Sequence, residues 1–66
     1  MGYKWSDVYD IAIDLEEAHP EADVINLRFT DLWQWVQDLE RFDDDPQKSN
    51  EKTLEAIQMA WIEERE

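Results

Sequence analysis

Phe29-Thr30-Asp31-Leu32-Trp33-Gln34-Trp35-Val36-Gln37-Asp38-Leu39-Glu40-Arg41-Phe42 is the stretch on which the fold class turns. Leu32, Trp35, Val36, Leu39 and Phe42 return every three or four residues, which is the spacing of one helix face. Nothing here alternates at the period of a strand. Thr30 is placed as N-cap, with Asp31 beside the positive end of the helix dipole. Trp33 points roughly 120° from the centre of the apolar stripe, which sets it at the rim or in solvent. Asp43-Asp44-Asp45-Pro46 then stops the helix, because three adjacent acids and a proline disfavour its C-terminal end.

Working outward, the upstream segment predicts another helix, with Ser6 as N-cap and Asp7 near the dipole. Its core face is Val8, Ile11, Ala12 and Leu15, and Pro20 ends it near His19. On a helical wheel Asp7, Asp10, Asp14 and Glu17 fall within an arc of about 80°, well away from that stripe. Between the two helices, Glu21 to Leu27 fits either a brief helical turn or an extended connection. Downstream, Ser49 or Asn50 caps a third helix with Glu51 in its first turn. Leu54, Ile57 and Trp61 form its core face, and Ala56 and Ala60 allow close approach of neighbours. The expected product is an all-α, small three-helix bundle, residues 1–66 forming a single domain.

Charge bounds the partners. Eighteen Asp and Glu against six Lys and Arg give a formal charge of −12 on 66 residues. Such a field repels nucleic acid and anionic membrane and attracts basic protein surfaces and hard cations. No segment reaches the ~20 apolar residues of a membrane span, and the N-terminus lacks the apolar run of a signal peptide. Cysteine is absent, so no disulfide assists the fold, and a cytoplasmic address is the default. Four Trp, two Tyr and two Phe argue against disorder despite the acidity.

The acids suggest three kinds of chemistry, which differ in how well they fit. A glycosidase-like pair needs two carboxylates across a walled cleft, one with a raised pKa, and exposed edges on so short a chain do not provide that. One histidine and no cysteine exclude thiolate zinc, a two-His site and a thiolate-held cluster. Asp43-x-Asp45-x-Gln47 starts like a calcium loop. It then fails, with Pro46 inside, Lys48 at the glycine position and Leu54 at the bidentate Glu position. Clustered acids without a cage instead hold Fe²⁺, Mn²⁺ or a similar ion weakly, with water completing the shell. A helix-turn-helix reader of DNA is disfavoured, since Arg41, Lys52 and Arg65 stand among many acids. His19 is read as a helix end, and Trp35 and Trp61 as core. Trp33, Tyr9 and Ile13 lie off the core faces; aromatic surface beside acidic stripes suits a partner-binding patch, unless the intervening loop covers it.

Several motifs occur in a recognisable order: Trp5-x-Asp7, Arg28-Phe29-Thr30-Asp31-Leu32, Phe42-x-Asp44-Asp45-Pro46, Ser49-Asn50-Glu51, and Leu54-Glu55-Ala56-Ile57 before Trp61. In this order and spacing the chain resembles the IscX family, small acidic proteins of bacterial iron–sulphur cluster assembly. The resemblance implies a modified winged-helix-like, mainly helical fold. It implies docking on a basic surface of the cysteine desulfurase IscS, in competition with bacterial frataxin. It also implies weak, transient Fe²⁺ binding by surface carboxylates, with no bound cluster. The positions matching the family are Asp7, Asp10 and Glu17 on the first helix and Asp44 and Asp45 in the loop; Asp14 and Asp43 extend these patches by geometry. Two positions depart from the family pattern: Val24 follows Asp23 where a proline is frequent, and Trp33 replaces a frequent histidine.

The resulting expectation is a monomeric, non-enzymatic adaptor. Metal would be held among Asp7, Asp10, Asp14, Glu17, Asp43, Asp44 and Asp45. Partner contact would run through Asp7, Asp10, Glu17, Trp33, Asp44 and Asp45. Lacking cysteine, such a protein cannot accept sulphur as a persulfide. The alternative from another class is an acidic mimic that sequesters a basic nucleic-acid-binding protein.

Overall fold

In the computed structural model, which describes residues 2–66, the chain folds as three helices: α1 (Val8–Ala18), α2 (Phe29–Asp38) and α3 (Glu51–Arg65). A 3-10 turn, Pro46–Lys48, precedes α3. The all-α expectation holds, and the only β feature among the described residues is one parallel bridge, Tyr3 to Phe42. Among the described residues no helix is long and apolar enough to cross a membrane.

α1 buries Ile11, Ala12 and Leu15, three of its four expected core residues, and Val8 packs at the rim. Its N-cap is Asp7 rather than Ser6. The reason is local: the Asp7 carboxylate accepts from the Lys4 backbone N–H at 2.9 Å, and Asp7 N–H donates to Lys4 O, closing a turn just before the helix. Of the two expected caps for α3, Asn50 serves and Ser49 does not: the Asn50 side-chain oxygen accepts from Thr53 N–H at 2.9 Å. Leu54, Ile57, Ala60 and Trp61 are buried on α3, whereas Ala56 is exposed and takes no part in close packing.

α1 and α3 run in the same direction side by side. Val8 and Ala56 line one open depression near their starts, while Glu16 meets Trp61 and Arg65 near their ends. The Arg65 guanidinium closes this second end. It pairs with Glu16 at 2.8 Å, donates to the carbonyls of His19 and Pro20 at 3.1 Å and to that of Ala22, and lies over the Trp61 ring. A cation is thereby set against the negative end of α1.

α2 departs most from expectation. Arg28 is its N-cap and Thr30 lies inside the first turn without a side-chain capping bond. The helix ends at Asp38, four residues before the expected stop at Phe42, because Leu39 turns to extended backbone (φ −68°, ψ 133°). That turn frees Arg41 O and Asp43 N–H to pair with Tyr3 at 2.9 Å each, so the ladder lost from the helix is replaced across the chain. Leu39 and Phe42 still pack on the core, and Phe42 meets Trp5 edge-on at 4.7 Å. Trp35 stacks on His19 at 4.4 Å and meets Trp61 edge-on at 6.1 Å, which joins α2 to both other helices.

The ambiguous segment is a set of turns. Asp23 accepts from the Asn26 backbone at 3.2 Å and side chain at 3.0 Å, while Val24 is buried and its carbonyl accepts from Gln58 at 2.8 Å.

Candidate functional site

The N-terminal segment joins the two acidic clusters. Tyr3 and Trp5 are buried while Gly2 and Lys4 face out, a strand-like alternation too short to read from sequence alone. Trp5 donates from its backbone N–H to the Asp44 carboxylate at 3.1 Å and from its indole to Asp45 O at 2.8 Å. Lys4 Nζ donates to Asp43 O at 2.5 Å. Gly2 permits this approach, since a Cβ there would collide with the Asp43 side chain and Arg41 O. Residues 43–45 are therefore fastened beside the start of α1.

Within this arrangement the acids differ. Asp7, Asp10, Glu17, Asp43 and Asp45 are exposed. Asp14 is partly buried; its carboxylate accepts from Tyr3 Oη at 2.6 Å and pairs with Arg41 at 3.6 Å, so it ties the N-terminal segment and the loop to α1. Asp44 is also partly buried, and its second oxygen accepts from Asp45 N–H at 2.7 Å. Asp45 caps the 3-10 turn by accepting from Gln47 N–H at 2.9 Å. Among the described residues, no three His, Asp or Glu groups stand close enough together to hold a metal ion. Ion pairs there engage only Asp14 and Glu16.

Of the off-face aromatic and apolar residues, Trp33 is partly buried, with its indole donating to Pro46 O at 3.1 Å, so it anchors the 3-10 turn. Tyr9 and Ile13 are exposed.

Comparison with known proteins matches residues 3–66 to the family profile described as iron–sulphur cluster assembly. The chain belongs to this family, the IscX family. It is 58% identical over 66 residues to the Pseudomonas aeruginosa protein PA3808, across the whole of both chains.

In this IscX-family chain, several positioning residues carry no local sequence signal. Tyr3, Lys4 and Arg41 orient the Asp loop through partners some 40 residues away, and no periodicity marks such pairs. Val24, which follows Asp23 in the turns before α2, is buried in the core.

Two carboxylates link this architecture to pH. Hydrogen bonds from the Trp5 and Asp45 backbones hold Asp44 below the usual carboxylate range. Hydrogen bonds from Arg65 and then Trp61 do the same for Glu16. A lowered folded pKa contributes stability that is complete above the unfolded value of about 4 and is lost as pH falls through the folded value. Acidification also relieves repulsion among the other acids, so the informative quantity is a difference between variants. Asp44→Asn and Glu16→Gln are each expected to melt below wild type at neutral pH, with the gap closing below about pH 4. Thermal melts across that range check it; a gap that is constant with pH overturns the assignment.

Proposed function

We propose that this protein is a non-catalytic adaptor in iron–sulphur cluster assembly that docks on the basic surface of the cysteine desulfurase. The observation that carries this reading is one acidic edge: Asp7 at the N-cap of α1 and Asp10 and Glu17 along it, with residues 43–45 fastened alongside through Lys4 and Trp5, in a chain without cysteine. Such an edge supplies complementary charge, which raises the association rate and suppresses wrong partners. Family membership supports the pathway, and the resemblance supplies the particular partner.

Fe²⁺ is the cargo or signal in this reading. With no three ligands gathered among the described residues, the ion is held weakly by separate carboxylates, with water completing its shell. Asp7, Asp10, Glu17, Asp43 and Asp45 are the accessible donors. Asp14 and Asp44 would surrender bonds to Tyr3 or Trp5 to join them. Ion and enzyme therefore share one surface of this protein, while frataxin would compete with it for the surface of the enzyme.

Titration of the desulfurase with the intact protein at low and ~0.5 M salt tests the reading, because an electrostatic interface weakens steeply as the screening length shortens. Expected is a large loss of affinity at high salt. No binding at low salt overturns the partner, and salt-insensitive binding overturns the electrostatic edge.

A further inference from the structure

Negative charge is not confined to the α1 edge. Glu51, Glu55, Glu63, Glu64 and Glu66 are exposed on and after α3, and Asp31, Asp38 and Glu40 on and after α2. Lys4 and Arg41 stand among the acids of the α1 edge, which dilutes the field there. What distinguishes α1 is apolar surface. Tyr9 is 69% and Ile13 42% exposed, one helical turn apart, and both lie outside the core cluster.

These two side chains border the acids directly. Ile13 follows Asp10 by three residues and precedes Glu17 by four, so on the helix surface it neighbours both. Centred on the wheel, the Tyr9–Ile13 pair and the Asp10–Glu17 pair lie roughly 70° apart. Asp10 and Glu17 are exposed and carry no ion pair among the described residues. An apolar centre beside unpaired carboxylates is the reverse image of an apolar pocket rimmed by Lys and Arg. Ile25 and Met59 are also exposed, Ile25 in the turns before α2 and Met59 on α3, away from the acids of α1.

We infer that Tyr9 and Ile13 are the apolar anchor of the α1 interface, and that the occupant is a protein surface offering an apolar pocket with a basic rim. A second copy of the chain is disfavoured by the repulsion of two bodies each carrying −12. Nucleic acid and anionic lipid are repelled likewise, since Val8–Ala18 contains no Lys or Arg to meet a phosphate. The inference rests on the docking reading above and deepens it: acids steer the encounter, and the ring and aliphatic chain hold the complex.

The two contributions separate in a salt series. Affinity for the cysteine desulfurase would be measured for wild type, Tyr9→Ala, Ile13→Ala and the double variant Asp10→Asn, Glu17→Gln. Tyr9→Ala is expected to weaken binding about tenfold or more at every salt concentration, with the slope of log Kd against log salt unchanged. The charge variant is expected to flatten that slope instead. Circular dichroism should show all variants folded, since none of these side chains is in the core. Wild-type binding accompanied by Tyr9→Ala and Ile13→Ala affinities within about twofold overturns the anchor and leaves the docking reading standing. Absence of wild-type binding overturns both.

Discussion

Trp61→Ala is expected to leave the chain largely unfolded at 25 °C. Trp61 is fully buried and is the largest of the side chains that are so. Truncating a buried tryptophan costs about 3–5 kcal/mol from lost transfer energy and the cavity left behind. A core on a chain this short supplies only about 3–5 kcal/mol in all, so the single change removes most of the margin. The loss here is not confined to volume. The Trp61 indole donates to Glu16 at 2.9 Å, its face carries the Arg65 guanidinium at 5.6 Å, and Trp35 meets its edge. Alanine therefore also loosens the lock between the ends of α1 and α3. Trp61→Phe keeps an aromatic ring and removes the indole donor, and is expected to fold with a lowered melting temperature. Far-UV circular dichroism and thermal melts check both. A Trp61→Ala protein that melts within a few degrees of wild type contradicts the assignment of this residue to the core.

Changing Asp7, Asp10 and Glu17 together to Asn, Asn and Gln is expected to weaken docking on the desulfurase at least a hundredfold at low salt, while the melting temperature stays level or rises. Close charge pairs across interfaces couple by about 1.5 kcal/mol or more, so three of them reach that scale even when partly screened. Stability moves the other way, because removing three like charges from a body of −12 relieves self-repulsion. The structure adds a reason for the choice of residues. All three are exposed and outside ion pairs among the described residues, and Asn at position 7 keeps an acceptor for Lys4 N–H. Asp14 is left out deliberately, since its bonds to Tyr3 and Arg41 would confound a binding loss with a folding loss. Calorimetric titration and thermal melts together decide the matter: unchanged affinity removes this edge from the interface, and a depressed melting temperature makes at least one of the three acids structural.

Sequence by itself determined that there are three helices, which of their residues face the core for the most part, and the overall charge. Ile11, Leu15, Leu32, Val36, Leu54, Ile57 and Trp61 were legible because burial on a helix face repeats every three to four residues, and that period is written locally. A cap at Ser49 or Asn50 and Pro20 as a stop were legible for the same reason, since each acts on neighbours within one turn. The early end of α2 was not, because Leu39 through Phe42 continue the helical pattern; their backbone leaves the helix to pair with Tyr3, nearly forty residues upstream. Nor was the division of labour among the acids. Asp10 and Asp14 look alike on a wheel, yet one is open to solvent and the other holds Tyr3 and Arg41. Likewise Trp33 and Tyr9 both lie off a core face, and only the packing of the Pro46 turn over Trp33 leaves Tyr9 as the exposed ring. Which charges and rings are free is a property of what the rest of the chain brings against them, and only the tertiary structure could decide it.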